Sequence, residues 1–154
     1  MLENACAGAI LLAAGAALAA AQAGGPANQE RFLGKWKLEI SRSKAIHADE
    51  LQSGEWRSYE QDGDRVKVSF GDAGGRLGSY SAKCDGSLET GASGKLRCWQ
   101  KDLNTMEGEQ LDPNDSTHRY YRRVLSRDGK TLSILWFRDA LRSKLFERLV
   151  YTRD

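Results

Sequence analysis

Histidine is almost missing from this chain. His47 and His118 stand far apart, and the three cysteines, Cys6, Cys84 and Cys98, supply no group of four closely spaced ligands. Zinc sites need such a group, so no metal is expected. Three other absences narrow the chemistry. The sequence has no Gly-x-Ser-x-Gly elbow, no phosphate loop ending in Gly-Lys-Ser/Thr and no His-Glu-x-x-His. His118 beside Asp115 and Ser116 makes only a triad fragment, in which nucleophile and base would need a special turn to meet. Asp112, Asn114 and Asp115 offer oxygens, without the Gly and closing Glu of a calcium loop. The expectation is a protein that is not an enzyme and carries no cofactor. Charge of one sign is scarce as well: 23 basic and 21 acidic residues leave +2, too little to imply nucleic acid.

No apolar run reaches the ~20 residues that span a bilayer. The longest, Ala9 to Ala21, is Ala/Leu/Ile-rich and ends in Ala21-Gln22-Ala23 before Gly24-Gly25-Pro26. A short apolar core closed by small-x-small reads as an export signal cleaved near Ala23. The opening Met1-Leu2-Glu3-Asn4 departs from that pattern, since it holds an acid and no cation. The alternative is an Ala-rich helix packed on the domain, but the segment has no polar face. Export implies a secreted or periplasmic protein with no transmembrane segment in its mature form.

Removing residues 1–23 from the 154 leaves 131, enough for one domain. Residues 24–31 read as a flexible lead-in and 32–154 as the domain, expected to be a monomer. Cys84 and Cys98 remain as an even pair, fourteen positions apart and each near a predicted strand. In an oxidising compartment they are a disulfide candidate. Basic residues gather late: from Thr117 onward ten, among them Arg122, Arg123 and Arg148, stand against four acids. Such a stripe suits an acidic ligand, an anionic surface or simply a solvated sheet face.

Period-two alternation dominates the mature chain. Trp36, Leu38 and Ile40 oppose Lys35, Lys37 and Glu39; Val66, Val68 and Phe70 oppose Arg65, Lys67 and Ser69. A weakly helical patch covers residues 45–52. Gln61-Asp62-Gly63-Asp64 and Arg127-Asp128-Gly129-Lys130 are hairpin turns. Further strands are expected near 77–84, 96–101 and 144–152, whereas 85–94 reads as turns and 106–116 as an acidic loop. About eight short strands with turns every 8–12 residues predict an all-β, antiparallel up-and-down barrel.

Phe32-x-Gly34-x-Trp36 on the first strand resembles the opening of lipocalins and other calycin barrels. In that family the tryptophan closes one barrel end beneath a basic side chain of the last strand. The resemblance assigns closure to Gly34, Trp36 and Arg148. Gly34-x-Trp36-x-Leu38, Ser43-Lys44, Tyr59-x-x-x-Gly63, Ala82-Lys83-x-Asp85-Gly86, Ser126-x-Asp128-Gly129-Lys130-Thr131-Leu132 and Val150-Tyr151 are similar to small secreted bacterial lipocalin-like proteins of unassigned function. The cysteine pair resembles the staple of periplasmic lysozyme inhibitors. One departure is plain. Fatty-acid-binding barrels carry Arg-x-Tyr on the last strand, but Arg148 and Tyr151 are three apart and point to opposite faces.

An eight-stranded barrel either fills with side chains or holds one small ligand. The aromatics suit both, since indoles and phenols have an apolar body and a polar handle. If a small apolar or amphiphilic ligand is bound, the candidate residues are Trp56, Tyr80, Tyr120, Arg122 and Trp136. That choice places Tyr120, Arg122 and Val124 inward, facing Leu132, Ile134 and Trp136, and a buried guanidinium then requires an acid or an anionic head group. The opposite register leaves Arg122 in solvent. The competing function is a protein-binding or inhibitor module with a filled barrel, acting through its basic outer face and loops.

Overall fold

The structure is a computed structural model that describes residues 29–46, 51, 53–91, 94–112, 114 and 117–154. The expected export signal, most of the 45–52 patch, and Asp115 and Ser116 lie outside these residues. Among the described residues ten strands form where eight were expected: β1 (Gly34–Leu38), β2 (Trp56–Asp62), β3 (Arg65–Gly71), β4 (Leu77–Ala82), β5 (Asp85–Gly91), β6 (Gly94–Asp102), β7 (Thr105–Leu111), β8 (His118–Leu125), β9 (Thr131–Phe137) and β10 (Leu145–Arg153). They run in the order β4-β3-β2-β1-β10-β9-β8-β7-β6-β5, every pair antiparallel. β1 pairs with β2 on one side and β10 on the other, so the ribbon curls into an up-and-down barrel.

The two extra strands, β5 and β7, come from segments read as turns and loop. On β7 the outward residues are Glu107 and Glu109, each ion-paired, and the inward ones are Met106, Gly108 and Gln110. A glycine replaces a core residue there because the cross-strand Tyr121 ring occupies the volume that a Cβ on Gly108 would need. The hydrophobic alternation is therefore absent from β7, although the strand is present. β5 is an edge strand with an exposed outer Leu88, which also blurs the pattern. β1 ends at Leu38, and Ile40 opens a 3-10 turn (Ile40–Arg42) with its side chain exposed. Residues 29–31 are not a loose lead-in. Gln29 is buried and bonds Lys83 O, and Arg31 reaches Asn104 and Arg127 O.

One end of the barrel is closed by Trp36, fully buried, with its indole Nε1 donating to Phe32 O at 2.9 Å. The guanidinium above it belongs to Arg153 and not to Arg148. Arg153 lies 4.3 Å from the ring centroid and donates to Leu33 O, Arg31 O and Gly129 O at 2.7–3.0 Å. Pairing parity explains the correction: Trp36 stands opposite Arg153, while Arg148 stands opposite Leu135 on the outer wall and is exposed. Gly34 lies directly beneath this guanidinium. Its φ of +119° favours glycine, and a Cβ there would lie 2.8 Å from Arg153 Nη1.

Among the described residues no ladder joins β4 to β5, so the barrel has a seam. Side chains close it. Arg65 Nη1 meets Glu89 Oε1 at 2.7 Å, and Lys83 N donates to Glu89 Oε2 at 3.2 Å. At the same end Cys84 and Cys98 form the expected disulfide, tying the β4–β5 turn to β6. Closing a loop of this size contributes ~3 kcal/mol, mainly by restricting the unfolded chain.

Candidate functional site

The interior divides into a packed floor and an open mouth. Phe32, Trp36, Val66, Ala82, Leu125 and Leu132 fill the closed end, and all are buried. Above them the lining changes character. Tyr59, Tyr80, Tyr121 and Tyr151 surround two inward arginines, Arg57 from β2 and Arg123 from β8.

Arg123 is 3% exposed. Its guanidinium lies 4.5 Å from the Tyr121 ring centroid and 5.4 Å from that of Tyr59. Nη2 donates to the Tyr80 hydroxyl, and Nη1 points at Met106 Sδ at 3.6 Å. Its Nε has no partner, nor have the buried hydroxyls of Tyr59 and Tyr121. No carboxylate among the described residues pairs with it. An arginine keeps its charge when buried, so this is a desolvated cation without a counter-ion.

Arg57 is better provided. Its Nε donates to the Tyr151 hydroxyl at 2.9 Å, and that hydroxyl donates to Glu55 Oε1 at 2.6 Å. Glu55 Oε1 lies 3.9 Å from Arg57 Nη2, and the guanidinium is flanked by the Phe70 and Tyr151 rings, each 5.6 Å away. Burial pushes the hydroxyls of Tyr121 and Tyr151 above the usual phenol range, although Arg123 and Arg57 pull the other way. Both are therefore protonated donors at neutral pH.

Glu55 and Arg57 form the inner part of a cleft of about 680 Å³ at the mouth, walled by Phe70, Trp136, Leu149 and Arg119. A separate cavity of about 200 Å³ opens at the seam between Arg65, Glu89, Leu96 and Gln110 and reaches Tyr80, the residue that receives Arg123 Nη2.

Of the five residues expected to line a ligand site, two face the interior or its mouth. Tyr80 faces inward beside Arg123, and Trp136 packs edge-on against Tyr121 at 5.3 Å and lines the mouth. Tyr120 and Arg122 face outward, because β8 takes the other register: Tyr121, Arg123 and Leu125 oppose Trp136, Ile134 and Leu132. A one-residue change exchanges the two faces completely. Tyr120 stacks on His118 at 4.5 Å, and Arg122 binds Glu107 at 2.6–2.7 Å on the outer wall. Trp56 also faces out, toward a groove with Lys35, Lys37 and Ser58, since its neighbours Arg57 and Tyr59 point in. Glu55, Arg57, Tyr59, Tyr121, Arg123 and Tyr151 were not anticipated. The available signal was Arg57-x-Tyr59 alternating with the small Ser58, and Tyr121-x-Arg123-x-Leu125 on β8.

No family model matches this chain, and no curated protein sequence does. Solved structures share its fold. A fatty acid binding protein of Schistosoma mansoni in complex with arachidonic acid superimposes with a TM-score of 0.62 at 17% identity, covering 82% of this chain and 98% of that one. A mutant of the REP1-NXSQ fatty acid transporter gives 0.56 at 16% identity, over 81% and 99%. The fluorescent protein UnaG gives 0.56 at 15% identity, over 82% and 99%. At such identities the likeness is one of fold: a calycin-type, nearly closed β-barrel.

Proposed function

We propose that this protein binds a small amphiphile inside its barrel and holds the anionic head of that molecule at Arg123. One observation carries the reading. A cation 3% exposed has an Nε without a partner, and the buried hydroxyls of Tyr59 and Tyr121 beside it are also unpartnered. Buried polar groups left open in this way are rare and costly, and an anion would satisfy all three at once. The mouth cleft, with Trp136, Phe70 and Leu149, offers the apolar wall for the rest of the ligand. Structural neighbours that are named for fatty acids support the same size class. The disulfide supports an exported, oxidising location.

The experiment is a fluorescence titration with a panel of fatty acids and other amphiphilic anions. Ligand should quench Trp136, and a Trp136→Phe variant identifies its share of the signal among four tryptophans. Arg123→Leu should weaken binding by about ten-fold, or ~1.4 kcal/mol, whereas Arg122→Leu should leave it unchanged. Quenching by no member of the panel, or equal losses in the two variants, would leave the filled barrel acting through its outer surface as the better account.

A further inference from the structure

The outer wall at β6 carries a row of side chains unlike a solvated sheet face. Lys95, Arg97, Trp99 and Lys101 alternate outward along the strand, because Leu96 and Cys98 between them belong to the core. Leu88 on the edge strand β5 stands opposite Arg97 and is 59% exposed. An indole and an aliphatic chain are therefore diagonal neighbours on the outside, bracketed by three cations. Neither fills the barrel.

The charges on this wall are layered, with carboxylates beneath and cations above. The side chains of Glu107 and Glu109 are only 8% and 13% exposed, against 50% for Lys101 and 45% for Arg97. Glu109 is shared by Arg97 Nη2 and His118 Nε2, and Glu107 by Arg122 and Lys101. Asp85, opposite Trp99, is bound by the backbone N–H and hydroxyl of Ser87 at 2.9 and 2.5 Å. Among the described residues Lys95 has no ion pair, and Arg97 uses one guanidinium nitrogen of its three. Trp99 is held in place: Arg142 lies 5.1 Å and Arg97 5.9 Å from its ring centroid. Arg142 is itself fixed by Gly108 O and Ala140 O at 3.1–3.3 Å. Side chains ordered in advance lose little freedom when a partner arrives.

We infer that this face docks an acidic protein segment, whose carboxylates meet Lys95, Arg97 and Lys101 and whose apolar side chains cover Leu88 and Trp99. The cations standing above the buried acids set the sign of the partner. Tryptophan and arginine are residues on which protein interfaces concentrate binding energy, and the open fork of Arg97 matches a carboxylate. A nucleic-acid strand would stack its bases on open ring faces, whereas guanidiniums already lie over Trp99. Glu107 and Arg122 are the frame beneath this surface, complete without a partner. The barrel interior plays no part in the docking.

The test is fluorescence anisotropy of the full chain with three labelled probes. They are a peptide of alternating Glu-Leu and Asp-Phe pairs, the same peptide with Gln and Asn for its acids, and an oligothymidylate of equal charge. The acidic peptide should bind, more weakly as salt is raised, and the amide peptide should not. Trp99→Ala and Arg97→Glu should each weaken binding of the acidic peptide about ten-fold. Lys37→Glu, the same kind of charge reversal on β1 and outside this group of strands, should change it less than about two-fold. Laurate, a probe of the interior, should not displace the peptide. Thermal melts matching the parent's keep misfolding out of the result. Should either variant melt early, Arg97→Gln, at a side chain 45% exposed, decides in its place. No binding of the acidic peptide overturns the inference, as does displacement by laurate or a loss with Lys37→Glu equal to that with Arg97→Glu. Oligothymidylate bound as tightly as the peptide, with Trp99→Ala silent, makes the wall a general polyanion patch and rejects the protein assignment.

Discussion

Across the wall at β8, two adjacent arginines meet opposite surroundings. Outside, Arg122 Nε and Nη2 grip Glu107 Oε1 at 2.7 and 2.6 Å, and the same oxygen is approached by Lys101 Nζ at 3.2 Å and Arg142 Nε at 3.9 Å. One carboxylate, its side chain 8% exposed, thus serves three cations. Inside, Arg123 has three tyrosines, a thioether and, among the described residues, no carboxylate. The outer site is complete as it stands. The inner one has the form of a site that lacks its anion, and that contrast separates a structural ion cluster from a binding residue.

The comparison is tested most severely from the outside. Glu107→Gln leaves three cations crowded on a wall without their counter-charge. Breaking a mostly buried ion pair costs about 3 kcal/mol at the lower end of the known range, which urea unfolding would register. A loss below 1 kcal/mol would show that solvent, rather than Glu107, neutralises the cluster. The inner arginine should behave in the opposite sense. Arg123→Met removes a desolvated charge and keeps an apolar stem, so unfolding of the ligand-free protein should become harder by about 1–2 kcal/mol. A loss comparable to that of Glu107→Gln would mean that Arg123 is a structural member of the core, and the distinction drawn here would collapse.

A smaller effect should appear in acid. Burial raises the Glu107 carboxyl, but the hydrogen bonds from Arg122 and Lys101 and the nearby Arg142 outweigh it and hold the group below its usual value of 4.5. A carboxyl depressed in the folded state adds stability that is complete above its unfolded pKa and is lost as pH falls through the folded one. The parent should therefore lose stability steeply below pH ~4.5, and Glu107→Gln should lack that share of the slope. Arg123→Met should follow the parent curve. Parallel slopes for parent and Glu107→Gln would remove Glu107 from the account of acid sensitivity.

Much of the barrel was readable because one face of each strand is apolar. Val66-x-Val68-x-Phe70, the two hairpin turns and Trp36-x-Leu38 specified strands in their correct places, and the cysteine pair specified its bond. β8 was different. Tyr120-x-Arg122-x-Val124 and Tyr121-x-Arg123-x-Leu125 are nearly the same pattern, so alternation could not choose between them. The choice was made by Glu107 on the outer wall, which claims Arg122, and by Gly108, which makes room for Tyr121. Both lie on β7, a strand concealed by its charges and its glycine. The closing arginine was misplaced for a related reason: β10 runs one residue beyond the expected end, and Arg153 is that residue. The candidate site was legible in composition, tyrosine with arginine, but not in position.

The seam between β4 and β5 has a geometric consequence. A fully hydrogen-bonded barrel has its girth fixed by strand number and stagger, and no ligand can alter it without breaking the main-chain ladder. This barrel is a split ring. Its edges are held by the Arg65–Glu89 contact along the seam, with a covalent bolt at the closed end through Cys84 and Cys98. Both fastenings belong to the closed end, where Arg65 opens β3, so the circumference at the mouth can widen without breaking a main-chain bond across the seam, while at the Trp36 end it stays constant, which makes the interior a tapered socket of adjustable bore.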